Sequence, residues 1–99
     1  MPSKTIETVK VLLEFDLIGL TDAEKYYGNS WKKRGGVGAF MMLARKWDRI
    51  ENQVKEHNYD VLKALQEDGL ETGILDDIRD LRRYLLLVES EIMIWKNQT

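Results

Sequence analysis

Residues 74–96 read ILDDIRDLRRYLLLVESEIMIWK, and their periodicity decides the fold class. Ile74, Ile78, Leu81, Leu85, Val88, Ile92 and Trp95 recur at spacings of three and four, which is the period of one stripe along an α-helix. Neither proline nor glycine interrupts the run, so one helix over about residues 74–96 is expected. Its end, Ile92-Met93-Ile94-Trp95, is apolar around much of its circumference, and such a helix needs partners on more than one side.

Working outward, Phe40, Leu43, Trp47, Ile50 and Val54 repeat that spacing and predict a middle helix from near Val37 to near His57. A shorter helix is expected from about Tyr59 to Glu67, before breaks at Asp68-Gly69 and Thr72-Gly73. Toward the N-terminus, Ile6, Val9, Leu13 and Leu17 favour a helix over about Lys4 to Ile18. Thr21-Asp22-Ala23-Glu24 has the form of a capping box, which predicts a separate short helix ending at Tyr26 or Tyr27. Gly28-Asn29-Ser30 then has the composition of a turn. Pro2 is the only proline, and no linker or repeat divides the chain. One all-α domain over residues 1–99 is expected, a bundle of four to five helices.

Composition removes several function classes. There is no cysteine and a single histidine, His57, so disulfide frameworks, thiolate zinc sites, Cys nucleophiles and multi-histidine metal sites are excluded. His57 lies in the helix-ending stretch Glu56-His57-Asn58, where a cap or surface role is expected. No apolar run approaches the roughly 20 residues of a membrane span, and no signal-peptide pattern is present. A soluble, cytoplasmic protein without a membrane partner is expected, in the host cytoplasm if it is viral. With 43% hydrophobic residues in 99 the core is modest, and homo-oligomerisation is the expected way to bury more.

Charge is segregated although it sums to −2. Residues 32–49 hold Lys32, Lys33, Arg34, Arg45, Lys46 and Arg49 against Asp48 alone, whereas residues 60–80 are dominated by acids. A general duplex-DNA binder would show a continuous basic face and a pI above the 5.4 found here. The asymmetry suits a ligand that needs both a cation and anion-binding groups.

Two acidic pairs carry the most specific chemical signal: Asp48-x-x-Glu51, then, after 25 residues, Asp77-x-x-Asp80. Residues three apart on a helix share a face. Two such helices packed antiparallel would bring four carboxylates around a hard cation, which makes Mg²⁺ the expected metal. Acidic pairs also arise on solvated helix faces, but these four adjoin the apolar stripes, at the edge of a helix interface. Before the middle helix, Trp31-Lys32-Lys33-Arg34-Gly35-Gly36-Val37-Gly38 leads three cations into a glycine-rich helix N-terminus. Unpaired backbone N–H groups and the helix dipole favour an anion there, so Lys32, Lys33, Arg34 and Gly36 are candidate phosphate contacts. Trp31, Tyr26 and Tyr27 offer faces on which a base could stack.

The order Asp48-x-x-Glu51, spacer, Asp77-x-x-Asp80, then Tyr84-Leu85-Leu86-Leu87 resembles the E-x-x-E, spacer, E-x-x-D-x-x-x-Y-hydrophobic pattern of the MazG-like all-α NTP pyrophosphatases. Asp stands in place of Glu at positions 48 and 77. Lys25-Tyr26-Tyr27-Gly28-Asn29-Ser30-Trp31 is similar to a Tyr-Gly-x-Ser-Trp stretch of phage-borne nucleotide-modification-associated helical domains. The resemblance covers roughly residues 25–90. It implies catalytic carboxylates at Asp48, Glu51, Asp77 and Asp80 holding Mg²⁺, Tyr84 beside the ligand, a nucleotide as partner, and dimers or tetramers. Two other functions are compatible with these residues. One is a non-catalytic viral protein that sequesters a nucleotide or cyclic oligonucleotide signal, as an anti-defence sponge would; the other is a helical protein-protein interaction module.

Overall fold

The computed structural model describes residues 3–68 and 73–98. They are all-helical and contain no strand. Contacts divide the chain into two compact units, Met1–Ser30 and Trp31–Thr99.

The first unit is one helix, α1 (Lys4–Tyr27). Ser3 is its N-cap: the backbone there is extended, and the hydroxyl accepts from the Ile6 N–H at 3.2 Å. The helix runs straight through Thr21, where a separate start was expected. Thr21 Oγ1 donates to the Leu17 carbonyl at 2.6 Å instead of capping a new helix, the back-bonding open to a threonine inside a helix. Gly28 ends the helix at φ 55°, its N–H bonded to the Glu24 carbonyl at 2.9 Å. Ile6, Val9, Leu13 and Leu17 are exposed.

A single 3₁₀ turn, Ser30–Lys32, leads into the second unit, which comprises α2 (Gly35–Lys55), α3 (Val61–Asp68) and α4 (Ile74–Gln98). α2 begins two residues earlier than expected, taking Gly35 and Gly36 into its first turn. Asp60 caps α3 through its carboxylate, which accepts from the Lys63 N–H at 3.0 Å. Of the expected breaks, Gly69 and Thr72 lie outside the described residues. α2 and α4 are antiparallel: side-chain pairs link Lys46 to Asp80 and Gln53 to Asp77, and Lys32, in the turn before α2, to Glu91 far along α4, so position rises along one segment as it falls along the other.

The core comprises Ile50 and Val54 of α2, Ala64 of α3 and Ile74 of α4, with Leu65, Ile78 and Leu81 half-buried against it. It sits where the end of α2 meets the start of α4. The apolar stripes anticipated on both helices are therefore covered at one end only. Phe40 and Trp47 on α2 are exposed, as are Leu85, Val88, Ile92 and Trp95 on α4.

α2 ends at Lys55, two residues before the expected His57. Tyr59 N–H bonds to the Val54 carbonyl at 3.0 Å and Asn58 N–H to the Lys55 carbonyl at 3.2 Å, the paired closure of a Schellman motif with Asn58 as its left-handed residue at φ 56°. His57 is not a surface group: its side chain is 12% exposed, with Nδ1 3.1 Å from Glu67 Oε2. Tyr59 follows at φ 62°, a conformation costly for a residue with Cβ. Because its ring is largely exposed, Tyr59→Gly is expected to raise the unfolding free energy by about 0.5–1 kcal/mol. Urea unfolding checks this, and an unchanged or lower midpoint would show that the ring contributes more than the strain removes.

Candidate functional site

Two chemically distinct places in the second unit hold the residues singled out by sequence. The first is a charged layer between α2 and α4. On α2, Lys46, Arg49 and Gln53 follow one another at spacings of three and four, so they share one face, which borders Ile50. That shared face turns them toward α4. Asp77 sits opposite, with its side chain only 2% exposed. Its Oδ1 accepts from Arg49 Nε at 2.8 Å and lies 3.7 Å from Lys46 Nζ, while Oδ2 accepts from Gln53 Nε2 at 3.1 Å. Lys46 Nζ also reaches Asp80 Oδ2 at 3.0 Å. The desolvation of Asp77 is offset by two cations and an amide, the condition under which a buried carboxylate is tolerated. Its place near the α4 N-terminus adds the favourable end of the helix dipole.

Asp48 and Glu51 are exposed on other faces of α2. The four acids expected around one cation are thus split: the α4 pair faces the bases of α2, and the α2 pair faces away from them. Among the described residues, no three His, Asp or Glu side chains converge to hold a metal ion. Mg²⁺ does not fit these carboxylates as this chain arranges them, because both oxygens of Asp77 already serve donors of α2. Sequence reasoning missed Lys46, Arg49 and Gln53. Their spacing around Ile50 was a usable signal, obscured by the assumption that the adjoining acids would face the partner helix.

The second place is the start of α2. Arg34 is the N-cap residue, and no side chain caps the helix, so its first backbone N–H groups keep their donor capacity. Gly35 has φ 75°, in the left-handed region that glycine enters without penalty. A Cβ on Gly38 would lie 2.7 Å from the Arg34 Cβ. Arg34 therefore lies tightly over the first turn. Lys33, Arg34 and Gly36 are exposed. Lys32, expected to contact phosphate beside them, is engaged elsewhere: its Nζ is 2.9 Å from Glu91 Oε1 on α4 and 5.8 Å from the Trp31 ring centroid. Trp31 is half-buried, as is Tyr84, which lies on α4 with Asp80 and Asp77 one and two turns before it. Tyr26 and Tyr27 are exposed on the first unit.

Comparison with protein-family models, with curated proteins and with solved structures found no match to this chain. No helix among the described residues is long and apolar enough to cross a membrane.

Proposed function

We propose that this chain binds a phosphorylated small molecule, of the nucleotide or cyclic-oligonucleotide class, at the start of α2 without hydrolysing it, and that it works as a homo-oligomer. The observation that carries the binding is the uncapped, glycine-rich N-terminus of a 21-residue helix with Lys33 and Arg34 beside it. Free N–H groups, the dipole and two cations all favour negative charge at one point. Support for binding without turnover comes from Asp77, whose oxygens serve Arg49, Lys46 and Gln53. Mg²⁺-dependent hydrolysis of the MazG-like kind would require Asp77 to exchange those partners for a metal and Asp48 and Glu51 to come round to it. Self-association is supported by exposed apolar residues at Phe40, Trp47, Leu85 and Trp95 beside a core of four.

The test is calorimetric titration with inorganic pyrophosphate and a nucleotide panel at two salt concentrations, with and without Mg²⁺. Lys33→Ala with Arg34→Ala is expected to weaken binding by at least about 10-fold and to flatten its salt dependence, since screened charge attraction is what the change removes. Mg²⁺-dependent release of pyrophosphate from a nucleotide would replace this function with the hydrolytic one. Affinity unchanged in the double variant would place phosphate elsewhere.

A further inference from the structure

An open apolar groove of about 430 Å³ runs along α4, walled by Trp47 and Ile50 of α2, Val61 of α3 and Ile78, Leu81 and Leu85 of α4. Of the residues that line it, Arg82 and Glu89 alone carry charge. Their placement is symmetric. Along α4 the order is Ile78, Arg82, Leu85-Leu86, Glu89, Met93, with spacings of three and four that keep these residues on one side of the helix. Arg82 and Glu89 are equally far from the point between Leu85 and Leu86, and so are Ile78 and Met93.

We infer that this groove is filled by α4 of a second copy, lying antiparallel about a two-fold axis between Leu85 and Leu86. An isologous interface requires a patch that complements itself, so that residue i meets j while j meets i. Reversing α4 on itself about that point brings Arg82 onto the partner's Glu89 and Glu89 onto the partner's Arg82. It sets Ile78 against Met93, and the leucines against each other at the centre. Apolar contacts thus lie on the axis and outside the charge pairs, the layout of a helix seam whose register is fixed by flanking ions. Leu85 is 50% exposed and Met93 54% in the single chain, so both have area to lose. Arg82 is already engaged within its own chain, and a guanidinium with five N–H donors can take a further carboxylate without releasing the first.

An apolar strip serving an unrelated partner has no need of opposite charges at mirror positions. A self-complementary one does. The inference rests on the self-association proposed above and adds its geometry; it does not involve phosphate binding.

The experiment uses two variants of the full chain. Arg82→Glu alone sets acid against acid in a homodimer, and Glu89→Arg alone sets base against base. Sedimentation equilibrium is expected to show each homodimer weakened by roughly 30-fold, given two exposed pairs turned from attraction to repulsion. Mixing the two variants makes both pairs attractive again, since one chain then carries acid at both positions and the other carries base at both, and heterodimers are expected to outnumber either homodimer. Leu85→Asp provides a check that leaves Arg82 in place, and it is expected to be monomeric at concentrations where the wild type associates. Wild-type association unaffected by these changes would overturn this interface while leaving self-association standing. A wild-type chain that stays monomeric throughout the micromolar range would overturn both, whatever its affinity for pyrophosphate.

Discussion

Asp77→Ala is expected to lower the unfolding free energy by about 2–3 kcal/mol. Asp77 is nearly inaccessible to water and is the acceptor on which Arg49, Gln53 and Lys46 converge. Without it, two cations and an amide face α4 with nothing at that position to accept from them. Full burial of all partners would make the loss larger, but the Arg49 side chain is 53% exposed and can swing toward solvent. Asp80 differs. It meets Lys46 with 37% of its side chain exposed, so Asp80→Ala is expected to cost no more than about 1 kcal/mol. Replacing Lys46 and Arg49 with Met and Asp77 with Leu together is expected to recover much of the loss, since a well-packed apolar set often matches a buried ion network. Urea unfolding of the wild type and these three variants measures the pattern. Equal, small effects for Asp77 and Asp80, accompanied by loss of Mg²⁺-dependent ligand binding, would mean that these carboxylates serve a metal and not the fold.

Spacing identified Asp77 and Asp80 as neighbours on one helix face, and it put that face toward α2. It could not say what lies opposite. That depends on the register and rotation of two helices, and in α2 the stripe Leu43, Ile50, Val54 is flanked on one side by Trp47 and Glu51 and on the other by Lys46, Arg49 and Gln53. Either flank could have faced α4. The fold turns the basic flank inward, pairing it with the acids of α4, and leaves Trp47 and Glu51 exposed. The interhelix layer is thereby neutralised within the chain.

Helix identity was more legible than helix limits. Alternating spacings of three and four mark α2 and α4 because each has to present a continuous apolar stripe, and the end of α2 was legible to within two residues in the helix-ending stretch Glu56-His57-Asn58. Thr21-Asp22-Ala23-Glu24 misled for a local reason. The same hydroxyl that can cap a new helix can also bond back to the carbonyl four residues earlier, and Ser/Thr-x-x-Glu carries no information on which occurs. How much of each stripe the chain itself covers was not legible either. Apolar periodicity shows that a face is to be buried, not by what, and Leu85, Val88 and Ile92 remain exposed in the single chain.

Gly38→Ala is expected to destabilise the chain by about 1–2 kcal/mol, against the usual gain of up to about 1 kcal/mol when alanine replaces a glycine inside a helix. The added methyl would stand 2.7 Å from the Arg34 Cβ, a distance that no pair of such atoms accommodates. Arg34 cannot relieve it by rotating a flexible tip, because the atom struck is its own Cβ; the backbone that leads into α2 has to shift. Gly36 supplies the control. A methyl group added there would meet nothing within 4 Å, and its φ is not in the left-handed region, so Gly36→Ala is expected to be neutral or to stabilise by up to about 1 kcal/mol. The pair also separates fold from function. Displacing Arg34 moves a guanidinium away from the first N–H groups of α2, and Gly38→Ala is expected to weaken pyrophosphate binding by about 10-fold, as loss of one charge-assisted contact would. Gly36→Ala narrows the approach of phosphate to the backbone and is expected to weaken binding without any loss of stability. Thermal unfolding and calorimetry on the two variants test both halves: a Gly38→Ala protein as stable as the wild type would show that the loop yields freely, and unimpaired binding in both variants would remove the start of α2 as the phosphate site.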